Sequence, residues 1–383
     1  MRATRYELIE ERYRRMLRVI DAAGDLLWRP ARQTPAPLDP PNVRSLLVLM
    51  TYGLGDAVLA TGCLRALREA FPQAKIDAVV GPRSREIVAT FPYFDELIFL
   101  DNPLYRLLDG RPAGFAAARA TLAALRRRRY DVCLDLLGDL PNCWLARRTG
   151  AARRVAHDSM GGGFFLTDPV GRDPARRRQS EVMAEALAPL GIAQARPLEL
   201  FIRPEDEQAA ARALSGTGNE PLIVVAPGAL LPAKKWPAAY FGQLIDLLRE
   251  AKPLRAVLVG APADARDAAA TAAATKGPVL DLCGKLRLTQ TIALLKRARL
   301  FVGNDSGLTH AAAALGVPVA QIFGPGLPER FGHYRTRDAM IFQTDCPYHP
   351  CSPRFCRAPD RWCMAAIAPA QVAAAIRERG AWR

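Results

Sequence analysis

The chain has 383 residues, of which 50% are hydrophobic and only 7% aromatic, and 53 Lys and Arg against 38 Asp and Glu give a formal net charge of +15. That length exceeds what one hydrophobic core normally serves, so two domains are expected, and no apolar run approaches the roughly 18 residues of a membrane-spanning helix. The positive balance favours anionic partners, either phosphorylated substrates or an acidic membrane surface, whereas the scarcity of aromatics and the lack of a zinc-finger or helix-turn-helix pattern argue against nucleic acid.

The chain opens with Glu7, Glu10 and Glu11 and without the apolar segment of a secretory signal, which leads to the expectation of a cytoplasmic protein whose eight cysteines are mostly reduced. Residues 5–28 place Tyr6, Ile9, Tyr13, Met16, Leu17, Ile20 and Leu27 near helical spacing with arginines between them, an amphipathic basic helix. Packing against the body of the protein is the favoured reading, and peripheral contact with anionic lipid is the alternative. Five prolines between Pro30 and Pro41 then make an extended connector, so that residues 1–42 precede the first domain.

The run Ser45 to Met50 is continuous and apolar, as a parallel strand buried on both faces requires. Thr51-Tyr52-Gly53-Leu54-Gly55-Asp56 turns from it into a helix that ends near Phe71-Pro72, and a second strand follows at Ile76 to Val80. Gly53, Gly55 and Gly62 do not make a dinucleotide fingerprint, and no Gly-Lys-Ser/Thr makes a P-loop. Asp56 stands after the carboxyl end of a strand, where open α/β sheets bind their ligands, although a carboxylate at a helix start is also a simple cap. Further strands are expected at Glu96 to Leu100 and Tyr130 to Leu137, with a helix at Gly114 to Arg129 between them and a loop over 157–180. A helix near Glu181 to Leu190 precedes the crossover at Pro197 to Pro204, so that the first domain spans 43–200 and the second 201–383.

The second half repeats the alternation, with strands at Leu222 to Ala226, Ala256 to Gly260, near Val279 and near Leu300, and helices at Ala238 to Arg249 and Thr289 to Arg297. Two successive sets of strand and helix imply an α/β protein of two Rossmann-like domains with doubly wound parallel sheets. Within the second set, Val302-Gly303-Asn304-Asp305-Ser306-Gly307 leads from a strand into an alanine-rich helix carrying His310. Asn304, Asp305 and Ser306 all cap helices well, and Gly307 leaves the helix start open. Such a start presents backbone N–H donors and a partial positive charge to a phosphate. Cys346, Cys351, Cys356 and Cys363 close the chain in C-x4-C-x4-C-x6-C spacing. Four cysteines so close admit a structural zinc, but without a C-x2-C pair they also read as buried or redox-active thiols.

With these residues assembled, the sequence resembles glycosyltransferase family 9, the ADP-heptose:lipopolysaccharide heptosyltransferases, from about Leu46 to Ile376. The resemblance rests on the GLGDAVLATGCLRALREAFPQAKID, APG…KKWP and VGNDSGLTHAAAALGVPVAQIFGPG blocks and the cysteine-rich tail ending CMAAIAP. It implies a GT-B fold, with two Rossmann-like domains facing a central cleft, the acceptor bound by the first and the nucleotide-sugar donor by the second. It also implies inversion at the anomeric centre, Asp56 as general base beside Gly53 and Gly55, and Lys234 of the K-x-W-P pattern on the donor phosphates. Gly228, Ala229, Asp305, Ser306, Gly307 and His310 would complete the donor site, with Asp264 as an acidic ribose contact.

The implied partners are ADP-heptose and a phosphorylated, lipid-linked glycan of the lipopolysaccharide inner core. A carboxylate can take the proton of an attacking sugar hydroxyl, and a lysine with a helix start can hold a leaving diphosphate. No Asp-x-Asp pair occurs in the chain, so no metal cofactor is expected to be required. The sequence departs from the family at Gly62, where proline is common, at Leu137 for glutamine, at Gly326 for threonine, and at Ala229 and Leu230 for small hydroxyl residues. These departures keep open a family 9 enzyme using another nucleotide sugar, and a nucleotide-sugar epimerase on the same architecture remains the alternative from another enzyme class.

Overall fold

The computed structural model describes residues 11–28, 38–173, 175, 178–216, 218–333, 339–348, 356, 358 and 362–380; the side chains of 11–13 are outside the description. The chain divides into two compact units, Met1–Leu198 and Glu199–Arg383.

The first unit is built on a six-stranded sheet of β1 (Ser45–Met50), β2 (Lys75–Val80), β3 (Glu96–Phe99), β4 (Val132–Asp135), β5 (Arg153–His157) and β6 (Asp168–Val170). The order is β3-β2-β1-β4-β5-β6 and every pairing is parallel. Parallel strands need crossovers that cover both sheet faces, which is why Leu46 to Met50 are all without exposure. On one face Leu47, Leu49 and Val79 meet Leu122, Leu125 and Leu145 from the crossover helices. Each such fully buried side chain contributes about 1.5–3 kcal/mol of transfer free energy.

The second unit repeats the plan with β7 (Leu222–Ala226), β8 (Arg255–Leu258), β9 (Val279–Asp281), β10 (Leu300–Asn304), β11 (Val319–Ile322) and β12 (Ala339–Phe342), in the order β12-β11-β10-β7-β8-β9. Counted from its own first strand this is again 3-2-1-4-5-6, the dinucleotide-fold order. Strand order reverses between β1 and β4 in one unit and between β7 and β10 in the other. Doubly wound sheets bind ligands beyond the carboxyl ends of the strands at that reversal.

Residues 157–180, read from sequence as a loop, contain a short edge strand, β6, paired with β5 through Val155–Asp168, Ala156–Pro169 and His157–Val170. A three-residue strand with a central proline has no readable periodicity, and a sheet edge tolerates the missing N–H. The N-terminal helix, Glu11–Trp28, packs on the same region. Asp21 Oδ1 accepts a 2.8 Å hydrogen bond from Gly162 N, Leu17 is buried, and Gly24 lies so close to the Phe164 ring that a Cβ there would stand 2.3 Å from it. The opposite face exposes Met16, Val19, Leu26 and Leu27. Among the described residues no helix is long and apolar enough to cross a membrane.

Gly62 has a packing reason. Its carbonyl accepts from Arg196 N at 2.9 Å, and a Cβ would meet Arg196 O at 1.9 Å, so the helix Leu54–Ala70 can pass this strand-like segment only where no side chain intervenes.

Candidate active site

In the first unit, the segments after β1, β2, β3 and β4 line an open cavity of about 210 Å³. Thr51, Tyr52, Gly53 and Asp56 line it from β1, and Leu137 and Asp139 from β4. Gly53 is the N-cap of Leu54–Ala70 and Asp56 sits in that helix's first turn. A Cβ at Gly53 would meet nothing within 4 Å, so the glycine serves no packing need and keeps the cavity wall open. Gly55, in the same turn, lies outside the lining.

The β4 side is held by a buried polar network. Asp135, 1% exposed, accepts from Gly138 N at 2.8 Å and Asn142 Nδ2 at 3.3 Å. Thr51 Oγ1 donates to Asn142 Oδ1 at 2.6 Å, tying the two loops together. Gly138 adopts φ +71°, and a Cβ there would stand 2.0 Å from His157 O, so only glycine completes this turn. Asp139 caps the helix Leu140–Thr149 through Asn142 N and accepts from Tyr105 Oη at 2.5 Å. Burial, then the neighbouring Asp139 charge, push the Asp135 carboxyl up to about 7. Burial likewise raises Asp139.

In the second unit the equivalent loops follow β7 and β10. Asn304, wholly buried at the end of β10, donates Nδ2 to the carbonyls of Pro227 and Gly228 at 2.9 and 3.2 Å and accepts from Trp236 N at 2.9 Å. One side chain thus fixes both ends of the loop carrying Gly228, Ala229 and Lys234. Trp236, 1% exposed, anchors that loop in the core and donates Nε1 to Ile367 O at 3.0 Å. Lys234 Nζ donates to Asp305 Oδ2 at 2.6 Å, with Asp305 side-chain exposure of 4% and Lys234 of 22%. Asp264 packs against Gly228, where a Cβ would lie 2.1 Å from its carboxyl carbon.

Ser306 is the N-cap of the helix Gly307–Ala314 and makes no side-chain capping bond, so that side chain does not occupy the first-turn donors. His310, buried one turn along, holds Nε2 3.7 Å from Asp305 Oδ1 and Nδ1 2.8 Å from His333 Nε2. Burial, and then the Lys234 charge, lower its pKa to about 4, so the ring is neutral at pH 7. The structure therefore gathers Lys234, Asp305, Ser306, Gly307 and His310 at one helix start, with Gly228, Ala229 and Asp264 on the neighbouring loops.

Sequence reasoning missed Asp135, Asp139, Tyr105 and His333, and took Asn304 for a cap residue when it is an internal staple. The Asp135-x3-Asp139 spacing after a strand was the only local signal for the first pair.

Of the tail cysteines, Cys351 lies outside the described residues. Cys363 is buried in the second core and Cys346 packs against it, while Cys356 is half-buried. Among the described residues no group of three or more His, Cys, Asp or Glu side chains is placed to hold a metal ion.

Glycosyltransferase family 9 (heptosyltransferase) matches the chain over residues 118–360. The chain is 28% identical over 320 residues to lipopolysaccharide heptosyltransferase 1 of Pseudomonas aeruginosa, covering 81% of this chain and 87% of that protein. It is 26% identical over 319 residues to lipopolysaccharide heptosyltransferase 2 of Escherichia coli K12, covering 79% and 89%. The solved E. coli ADP-heptose heptosyltransferase II shares the fold with a TM-score of 0.70 at 22% identity, over 88% of this chain and 98% of that one. Two Rossmann-like units in succession, with paired loops at each reversal of strand order, are thus the GT-B fold, and the chain belongs to glycosyltransferase family 9 and is a glycosyltransferase.

Proposed function

We propose that the protein transfers heptose from ADP-heptose, with inversion and without a metal, to a glycan of the lipopolysaccharide inner core. The reading is carried by the matched loop pairs, an acidic cavity with Asp56 at one strand reversal and a lysine beside an open helix start at the other. In the reaction an acceptor hydroxyl oxygen attacks the anomeric carbon and the bond from that carbon to the diphosphate oxygen breaks. Asp56 takes the hydroxyl proton, a step typically worth about 10²–10⁴-fold. Lys234 and the N–H groups at Ser306 and Gly307 hold the leaving diphosphate as its charge grows. Gly228 and Ala229 offer backbone to the donor and Asp264 a carboxylate to its ribose. Asp305 orients Lys234 through their 2.6 Å contact, and neutral His310 adds no competing charge beside it.

The acceptor is lipid-linked and phosphorylated along its length, and the enzyme meets it at the cytoplasmic face of an anionic membrane. The helix Glu11–Trp28 supports the membrane contact, because its outward apolar face, with Met16, Val19, Leu26 and Leu27, runs beside Arg15 and Arg18.

A second reading, a different nucleotide sugar, is favoured by Ala229 and Leu230. Leu230 is 79% exposed where a hydroxyl residue would be ready to meet a donor. Thermal stabilisation by ADP, UDP, GDP and ADP-heptose at matched concentrations separates the two, since a ligand that binds only the folded state raises apparent stability by mass action. The largest rise with ADP and ADP-heptose is expected; a larger rise with UDP or GDP would move the donor to another sugar.

A further inference from the structure

His310, the buried histidine beside Lys234 and Asp305, is paired with a second histidine. Its Nδ1 lies 2.8 Å from His333 Nε2, and the two rings meet edge-on with centroids 5.0 Å apart. His333 follows the short helix Pro328–Phe331 in the segment after β11 and is buried. The Phe331 ring packs against His310 from the same segment, centroids 6.5 Å apart, so that segment holds the imidazole at two points.

A contact of that length between two neutral imidazoles contains one proton, and either ring can carry it. If His310 Nδ1 carries it, His310 Nε2 turns a lone pair toward Asp305 Oδ1, 3.7 Å away, and like partial charges meet in a buried site. If His333 Nε2 carries it, His310 keeps its own proton on Nε2 and turns that proton toward the carboxylate. Asp305 Oδ1 is the oxygen that faces His310, while Lys234 occupies Oδ2, so the carboxylate favours the second arrangement. A charged His333 has a proton on both nitrogens and gives the same result. At 3.7 Å the Nε2 proton is beyond hydrogen-bond reach of Asp305, and among the described residues Nε2 makes no hydrogen bond. It stays available where Lys234, Ser306 and Gly307 gather.

We propose, resting on the transferase reading, that His333 is a positioning residue: it donates to His310 Nδ1, fixes His310 as the Nε2–H form, and so aims one neutral donor at a diphosphate oxygen of the bound nucleotide sugar. The tautomer of a histidine is set by the bond that its other nitrogen makes, and here that bond comes from His333. Lys234 supplies charge to the diphosphate. His310 supplies direction, because its ring cannot turn without breaking the bond to His333.

The test is nitrogen-15 NMR of the histidine-labelled full-length enzyme, joined to calorimetric titration with ADP. The chain has four histidines, so His310→Gln and His333→Gln spectra assign the two rings. Wild-type His310 is expected to carry its proton on Nε2, and that proton should shift when ADP binds. His333→Phe keeps a ring and loses the donor, so His310 should become a mixture of both tautomers and ADP affinity should fall about tenfold. His333→Gln places an amide donor near the same point; it should keep the tautomer and hold ADP affinity within about threefold of wild type. A wild-type His310 protonated on Nδ1, an Nε2 proton unmoved by saturating ADP, or equal loss of ADP affinity in the phenylalanine and glutamine variants would overturn the inference. The two wild-type readings need neither variant to fold. ADP release from ADP-heptose reports separately on the underlying reading. Transfer by a wild type with the Nδ1–H form would leave the transferase standing and remove the positioning role, whereas an Nε2–H form that responds to ADP without any turnover of ADP-heptose would do the reverse.

Discussion

Lys234→Met should destabilise the second unit as well as weaken donor binding, because the lysine neutralises a carboxylate that has little access to water. Asp305 is 4% exposed at its side chain and its contact to Lys234 Nζ is 2.6 Å. The next groups on it are Gln321 Nε2 at 3.5 Å and His310 Nε2 at 3.7 Å, too far to replace an ammonium. Removing one partner of a fully buried ion pair costs about 3–5 kcal/mol. The Lys234 side chain is 22% exposed, so screening reduces the expected loss to about 2 kcal/mol. For a unit of this size that lowers the midpoint by about 4–8 °C. Scanning calorimetry of Lys234→Met and of the Lys234→Met/Asp305→Asn double variant measures it. The double variant no longer strands a charge and should recover most of the lost stability, yet it should still fail to be stabilised by ADP-heptose. Removing Lys234 should also raise the His310 pKa above its value of about 4, visible by NMR titration of the ring. The reasoning is refuted if Lys234→Met melts with the wild type, or if the double variant is no more stable than the single one.

Three other outcomes follow from the first unit. Asp135 binds its proton more tightly in the folded protein, at about 7, than a carboxyl does in an unfolded chain, about 3.9. Its contribution to stability is therefore greatest below pH 4 and is lost as pH rises through 7; Asp135→Asn should flatten the fall in melting temperature between pH 5 and 8, and an unchanged slope would discard the shift. Gly62→Ala adds a methyl where Arg196 O would stand 1.9 Å away, and despite alanine's helix preference of about 1 kcal/mol the overpacking should cost a net 1–3 kcal/mol in chemical denaturation. For the N-terminal helix, Val19→Asp/Leu26→Asp should abolish flotation with anionic vesicles while leaving the melting midpoint within about 4 °C, since two surface substitutions away from packed features together cost within about 1 kcal/mol; flotation equal to wild type would remove the membrane contact.

Much of this site was legible in local sequence because helix starts after buried strands obey short-range rules. The runs at Ser45 to Met50 and Leu300 to Asn304 announce parallel strands, and the glycines after them announce open turns. The pairing of Lys234 with Asp305 spans 71 residues and has no local signature; it exists because β7 and β10 are neighbours in the sheet. Asn304 reads as a cap because Asn caps helices, but the strand runs two residues further than the apolar run Leu300 to Val302, and Ser306 takes the cap. The segment Tyr130 to Leu137 reads as one strand because its side chains are mostly apolar, whereas the pairing ends at Asp135, whose carboxylate folds the chain back onto Gly138. That early end is what delivers Asp139 to the cavity.

The central claim is that Asp56 deprotonates an acceptor for heptose transfer, and the most direct test is the rate of ADP release from ADP-heptose by Asp56→Asn beside wild type, with donor affinity measured on both. The account predicts kcat lower by at least about 100-fold and ADP-heptose affinity unchanged, because Asp56 belongs to the first unit and the donor loops to the second. Transfer by Asp56→Asn at the wild-type rate would contradict it.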